Sequence, residues 1–375
     1  MEDISLYIHV PFCDHKCIYC DFYSIITKDN IDNYISSLKR EIENYSKQLN
    51  GKNIISIFFG GGTPSLLTPN HINEILLFIK SNFNLDTKAE ITLETNPGTV
   101  DNRKLSEFRD IGINRISIGV QSFNDNDLKF LTRIHNKQTA VDTIKSADKA
   151  GFENINIDLI FSIPKQNKDI WEENLELAAA LPVKHISAYS LILEKGTILN
   201  KMVLDGKIKL KDEDYDASQY EHTIDFLTSH GFEQYEVSNF CKPGFECVHN
   251  LSYWEHKNYI GFGPSAHSFV DNKRWWNFSS LKMYMSSVEL KDSAVRGSEE
   301  LTKKELEQEF IMLALRSRGL NLNILKKMYG NEWISVNNNY INKLVEDGFI
   351  IWSDNFIKFT KAGYLLCDEI LLKFQ

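Results

Sequence analysis

The sequence of 375 residues contains no apolar run near the ~18 residues needed to span a membrane, and it opens with neither a signal peptide nor an Arg-rich transit segment. A cytoplasmic protein is the expectation. Like charges never run to five in a row and the formal net charge is −9, so nothing points to a nucleic-acid surface. An acidic substrate would need a local basic patch instead. Internal repeats and low-complexity tracts are missing too, which excludes solenoids and disordered arrays. Six cysteines in a chain this long do not make a disulfide framework. Clustered thiols in a reducing compartment read as metal ligands. What remains is ordinary globular material, 42% hydrophobic and 25% charged, long enough for one large domain and a smaller one.

Three of the thiols are crowded into Tyr7-Ile8-His9-Val10-Pro11-Phe12-Cys13-Asp14-His15-Lys16-Cys17-Ile18-Tyr19-Cys20-Asp21-Phe22, at C-x3-C-x2-C spacing after a short apolar strand. A 4Fe–4S cluster takes four thiolates, and only three are offered here. The fourth iron then keeps an open coordination position, as catalytic metal sites do. An amino acid can chelate that iron through its amino and carboxylate groups. If it is S-adenosylmethionine (SAM), an electron from the cluster can cleave the sulfonium and release a 5′-deoxyadenosyl radical. The spacing resembles the signature of the radical SAM superfamily. A zinc loop or three unrelated buried thiols are the alternatives. Zinc would ask for a fourth ligand close by; His15 stands inside the loop, without a paired C-x2-C or H-x3-H.

Downstream, strands and helices alternate. Asp29 is placed to cap a helix whose apolar residues Ile31, Tyr34, Ile35, Leu38, Ile42, Tyr45 and Leu49 keep helical spacing until Gly51. Residues 54–59 read as a buried strand, and Thr68-Pro69 as the cap and first turn of the next helix. Further strands are predicted at 89–93, 115–118, 154–160 and 185–191, with helices at 101–111, 136–150 and 168–180 between them. That rhythm predicts an α/β fold, a partial (β/α)6 barrel over residues 1–235. In parallel barrels the chemistry gathers at the C-terminal ends of the strands. Those ends offer Cys13, Cys17 and Cys20, then Gly60-Gly61-Gly62-Thr63-Pro64, Glu94, Gln121 and Asp158. Gly61 and Gly62 would let backbone approach a ligand closely. Glu94, Gln121 and Asp158 would accept from ribose hydroxyls and an ammonium, and Arg133 would fork a carboxylate. A glycine triplet is also often a plain turn, and a strand-end carboxylate a helix cap.

Tyr7-Ile8-His9-Val10-Pro11-Phe12-Cys13, Gly60-Gly61-Gly62-Thr63-Pro64, Gly119-Val120-Gln121-Ser122-Phe123 and Asn156-Ile157-Asp158-Leu159-Ile160 together resemble the oxygen-independent coproporphyrinogen III oxidase-like branch of the radical SAM superfamily. The resemblance runs over nearly the whole chain. It implies a 4Fe–4S cluster on Cys13, Cys17 and Cys20, and SAM contacts at Tyr7, Tyr19, Gly61, Gly62, Thr63, Glu94, Gln121, Arg133 and Asp158. The dehydrogenases of that branch carry an N-terminal arm and a fourth cysteine two residues after the third. Here the first strand begins near Ile4 and Asp21-Phe22 follows Cys20, so coproporphyrinogen III dehydrogenase activity is not expected.

Cys247-Val248-His249-Asn250-Leu251-Ser252-Tyr253-Trp254 instead is similar to the H-N-x-x-Y-W motif of the HemW-type haem chaperones. That likeness implies haem bound at His249, Tyr253 and Trp254 and passed to acceptor proteins, respiratory ones among them, beside a SAM-coordinated cluster. It leaves room for transient contact with a membrane protein and for a homodimer. Imidazole is a good iron ligand; read from residues alone, the motif fits equally a buried His beside two aromatics. Cys247 is a second candidate ligand or a free buried thiol, and no C-x-x-C-H attachment sequence is present. Cys241 and Cys367 read as core. His267, on a Gly-rich loop, faces the same cavity or packs in its loop. Residues 236–296 read as a connecting segment. From 297 to 375, helices at 301–316, 322–329 and 332–346 and a hairpin at 349–359 predict a small winged-helix-like α+β domain without basic bias. The functional expectation is a haem chaperone. A radical SAM decarboxylase or methyltransferase acting on a porphyrin or other small molecule is the alternative, and a winged-helix regulator with an iron–sulfur sensor is the third reading.

Overall fold

The computed structural model describes residues 2–46 and 49–374. Six segments rich in Ile, Val, Leu and Phe pair side by side as parallel strands: β1 (Glu2–Val10), β2 (Lys52–Gly61), β3 (Asn84–Thr95), β4 (Arg115–Gln121), β5 (Asn154–Phe161) and β6 (His185–Ser190). Each crossover carries a helix whose apolar stripe packs on the outer face, as parallel sheets require. In the helix Pro69–Asn82, for example, Ile72, Ile75, Leu76 and Ile79 are buried, and Thr68 caps it by accepting from His71 N. The partial (β/α)6 barrel is therefore present, and it does not close on itself.

Its two edges are covered by later parts of the chain. β8 (Asn239–Cys241) adds antiparallel to β6 and is followed outward by β7 (Glu233–Gln234). On the other side β9 (Tyr259–Phe262) adds parallel to β1, and β10 (His267–Val270), β11 (Lys273–Asn277) and β12 (Val295–Glu300) extend the sheet antiparallel. The sheet thus has twelve strands, in the order β12-β11-β10-β9-β1-β2-β3-β4-β5-β6-β8-β7. The segment 236–296, expected as a connection, is instead built into this sheet. The expected boundary at 297 falls inside β12.

Local expectations shift at several places. The helix after the cysteine loop is Ile31–Asn44, with Asn30 rather than Asp29 at its cap position; Asp29 accepts from Thr27. The stretch expected to continue it includes residues 47 and 48, outside the described residues, and Leu49 joins the core beyond the helix. β3 begins five residues before the expected strand, and helices Asp125–Phe130, Ile198–Leu204 and Glu213–Ser229 were not anticipated. The last of these opens on Asp212, Glu213, Asp214 and Asp216, good at a helix N-terminus but without an apolar stripe to mark it.

Beyond β12 the chain forms a small α+β domain with its own core around Leu315, Leu325, Ile341 and Ile357. Its order is helix Lys303–Leu315, β13 (Leu320–Asn321), helices Leu322–Met328 and Glu332–Glu346, then β14 (Ile350–Ser353) and β15 (Phe356–Phe359), which is the winged-helix order. Arg274 Nη2 of β11 donates to both carboxylate oxygens of Glu309 in its first helix, at 2.6 and 2.8 Å.

Glu41 ties the far side of the sheet to the barrel. This buried carboxyl, on the helix after β1, accepts from Gly263 N (2.8 Å), Tyr284 Oη (2.6 Å) and Asn277 Nδ2 (2.6 Å). Burial pushes it up to about 7 from its ordinary 4.5. Between those values the folded chain keeps a proton that the unfolded chain releases, so this group makes stability fall as pH rises. Glu41→Ala should cost roughly 3 kcal/mol by leaving buried donors unpaired, and Glu41→Gln should flatten that part of the pH slope. Urea titrations across this pH range measure both, and an unmoved midpoint in Glu41→Ala would show that the donors find other acceptors.

Candidate functional site

The half-barrel encloses a cavity of about 580 Å³ whose lining runs from the cysteine loop at the strand C-termini down to the residues of a helix that crosses the floor. The upper rim is set by how β2 ends. Gly62 N donates to Val10 O (2.8 Å) and Thr63 N to Phe12 O (2.7 Å), so the start of the cysteine loop lies directly on the glycines. A Cβ on Gly62 would stand 2.5 Å from Phe12 O, and one on Gly61, at φ +110°, 2.6 Å from the His9 ring. The glycines were expected to admit a ligand. What they face closest is the start of the loop at Gly62 and the His9 ring of β1 at Gly61.

Cys13, Cys17 and Cys20 are half-buried and all line the cavity. Cys13 Sγ donates to His15 O (2.9 Å) and lies 3.2 Å from Thr63 Oγ1, while Arg133 Nη1 points at Cys17 Sγ from 3.6 Å. Among the described residues no three His, Cys, Asp or Glu side chains converge as a single-ion site requires. A cubane, in which each thiolate takes its own iron, asks for thiols spread around a volume, and these three on one loop fit that demand.

Beneath them, Arg133 Nη2 donates to Asn96 Oδ1 (2.6 Å) and Gly119 O (2.7 Å), and Asn96 Nδ2 donates to Thr63 Oγ1 (2.8 Å). Arg133 Nε is buried without a partner, a free donor suited to a carboxylate. Glu94 Oε2 accepts from Gly61 N (3.2 Å) and lies beside Asp158. Burial first, then repulsion from Asp158, pushes Glu94 up to about 8. Asp158 is also raised, by burial, and is held by Asn156 Nδ2 at 2.8 Å. Gln121 closes β4 with φ +69°, a conformation that costs a non-glycine residue energy and is held here at the cavity wall. Tyr7, Tyr19, Gly61, Gly62, Thr63, Glu94, Gln121, Arg133 and Asp158 all line this one cavity.

The floor is the helix Val248–Trp254. His249 and Tyr253 line the cavity; Trp254 does not, and neither does His267, which stacks with Trp276 on β10 and β11. The motif, read from the sequence as part of a connecting segment after the barrel residues, is thus inside the barrel. Glu90 of β3 holds it there, accepting from Val248 N and His249 N (3.2 Å each) and from Cys247 Sγ (3.4 Å). Cys247 is a fully buried thiol, and Cys241 and Cys367 are buried in the core as expected.

A chain of hydroxyls fixes the proton on His249. Ser252 Oγ donates to Val248 O, Ser5 Oγ to Ser252 Oγ and Ser56 Oγ to Ser5 Oγ, at 3.0, 2.8 and 2.8 Å. With its own proton committed, Ser56 Oγ can only accept from His249 Nδ1, 2.9 Å away. Nε2 is then the lone-pair nitrogen, and Tyr253 Oη donates to it at 2.9 Å. Burial, reinforced by Arg115, lowers this imidazole to about 3, so it is neutral. Phe58 stacks on it at 5.0 Å.

Sequence reasoning missed Glu90, Asn96, Arg115 and Ser56. Three of them lie in the middle or at the N-terminal ends of strands, where a barrel's chemistry is not sought; the one signal was a charged residue, Glu90 or Arg115, inside an apolar strand pattern.

The radical SAM superfamily model matches residues 7–178. "Heme chaperone HemW" of Bacillus subtilis (strain 168) is 33% identical over 369 residues, covering 98% of this chain and 97% of that protein. The protein of the same name from Escherichia coli (strain K12) is 39% identical over 272 residues, covering 72% of this chain and 71% of its own. Among solved structures, coproporphyrinogen III oxidase (HemN) from Escherichia coli superposes with a TM-score of 0.86 at 24% identity, over 100% of this chain and 90% of its own, a likeness of fold. Identity of 33% along nearly the full length of the first of these relatives, and of 39% over more than two thirds of the second, makes the chain a member of the HemW family within the radical SAM superfamily.

Proposed function

We propose that this protein is a haem chaperone, one that binds haem and hands it to acceptor proteins while carrying a 4Fe–4S cluster with SAM. The observation that carries the reading is the neutral His249, whose Nε2 lone pair faces the same cavity that the three cysteines line. Cys13, Cys17 and Cys20 would hold the cluster, leaving one iron for SAM. Arg133 Nε would take the SAM carboxylate, and Glu94 with Asp158 would face its positive charges. When bound, cluster and SAM supply one-electron chemistry. The residues themselves orient SAM and keep its surroundings dry, and in the free protein burial holds a proton on Glu94. Haem would be ligated by His249 Nε2 with Tyr253 turned aside. Acceptors, respiratory ones among them, and transient contact with a membrane protein would be met from the cytoplasm, by a monomer or a homodimer; no helix among the described residues is long and apolar enough to cross a membrane. The cavity also suits an enzyme acting on a porphyrin, and turnover of coproporphyrinogen by the wild type would favour that second reading.

Replacing Cys13, Cys17 or Cys20 with Ala should remove most of the iron and the charge-transfer absorbance of anaerobically reconstituted protein. Gly62→Ala should act in the same direction, because its methyl pushes Phe12 O and the loop behind it. Four irons retained in a triple cysteine variant would remove the basis of the cluster assignment.

SAM binding should release a proton near neutral pH. Free Glu94 sits at about 8 and is largely protonated at pH 7; a bound cation favours its charged form. Affinity should therefore rise with pH up to about 8, and Glu94→Gln should abolish the dependence. Calorimetry in buffers of different ionisation enthalpy counts the proton directly, and equal heats in all buffers would contradict it.

Haem binding should shift its Soret band in His249→Ala. Tyr253→Phe removes the donor that competes for Nε2 and should tighten haem by about fivefold, the worth of one neutral hydrogen bond. Because the motif is inside the barrel, SAM and haem draw on one cavity, and saturating SAM should weaken haem binding. A haem spectrum unchanged in His249→Ala would sink the assignment of this ligand.

A further inference from the structure

Arg115 begins β4 at the bottom of the barrel, 1% exposed, and lines the cavity. Its Nε is buried with no partner, and among the described residues no hydrogen bond from its guanidinium is found. Glu90 lies nearest in charge, but Nε to Oε2 is 3.9 Å, beyond hydrogen-bond reach, and both Glu90 oxygens already accept from the floor helix. Glu94 and Asp158 also feel its charge, and burial holds both toward the protonated form. A buried guanidinium with its donors unanswered is costly unless an anion meets it. Asn250 lines the same cavity with no side-chain hydrogen bond among the described residues, and His249 is close enough to feel Arg115's charge.

We propose that Arg115, with Asn250 in the lining of the same cavity, is a carboxylate-binding site at the floor of the barrel cavity, taking a carboxylate of a ligand bound there. It rests in part on the haem reading: a propionate of a tetrapyrrole is the source that leaves the SAM carboxylate at Arg133, whereas the amino-acid carboxylate of SAM at Arg115 would displace that assignment, and the test separates the two. The guanidinium fork matches a carboxylate in two parallel bonds, which an ammonium cannot do.

The test titrates the full-length, cluster-reconstituted protein with two pairs of probes: haem against its dimethyl ester, which lacks free carboxylates, and SAM against 5′-methylthioadenosine, which lacks the amino-acid end. Wild type should prefer the free acid in at least one pair, and Arg115→Gln should reduce that preference by about tenfold or more while leaving the carboxylate-free partner's affinity alone. Collapse of the haem ratio assigns the propionate; collapse of the SAM ratio assigns the amino acid. Arg115→Lys keeps a cation beside Glu90 but loses the fork, so it should lower the same ratio and serves if the Gln variant does not fold. Ratios at wild-type values in each folded variant overturn the proposal. If neither haem nor its ester binds, the haem reading fails, while the SAM pair still decides Arg115.

Discussion

A six-stranded parallel sheet curls but does not close, and that leaves two edges and an open lumen to be managed. The chain covers one edge with β8, beside β6, and the other with β9, beside β1. Residues between them have to cross the lumen, and the helix Val248–Trp254 lies in that crossing. A helix starting inside a barrel has N–H groups that water cannot reach easily. Glu90 answers two of them, at Val248 and His249, and Cys247 Sγ accepts from Asn250 N at 3.5 Å. The carboxylate also sits at the favourable end of the helix dipole. Placement of the whole motif therefore depends on one acidic residue in β3.

That use of Glu90 shapes the electrostatics of everything above it. With its oxygens turned to the helix, Arg115 is left with a counter-charge at 3.9 Å. The other lumen carboxyls, Glu94 and Asp158, are both raised by burial. Two guanidiniums, Arg115 and Arg133, thus stand within the cavity's wall facing carboxyls that give up their protons reluctantly. In a chain of net charge −9 this lumen favours the entry of anionic groups, and it does so without any basic run in the sequence.

How much of this was legible follows from where each signal is written. The cysteine loop, the glycine triplet and Glu94, Gln121 and Asp158 sit at strand C-termini, a position that periodicity locates, so their convergence could be read ahead of any structure. The path of the chain after β6 could not. β8 is three residues and β7 two, too short to show alternation, and nothing in 236–296 announces that its strands join opposite edges of one sheet. For that reason the motif helix was expected outside the barrel. Ser5, Ser56 and Ser252 were invisible as a group, because residues far apart in the sequence meet only once β1, β2 and the floor helix are in place.

The serine chain also bears on how easily His249 can be approached. Its direction ends at a fixed backbone acceptor, Val248 O, and reversing the chain would give up that bond. Nδ1–H therefore stays on Ser56 whether or not Nε2 is engaged, and a hydrogen bond of this kind raises the basicity of the opposite nitrogen. Burial keeps the Tyr253 phenol protonated, so its bond to Nε2 is a neutral one, worth about 1 kcal/mol net. A coordinate bond to iron exceeds that easily. Turning one phenol aside exposes the nitrogen, while the helix, its Glu90 cap and the tautomer all remain as they are.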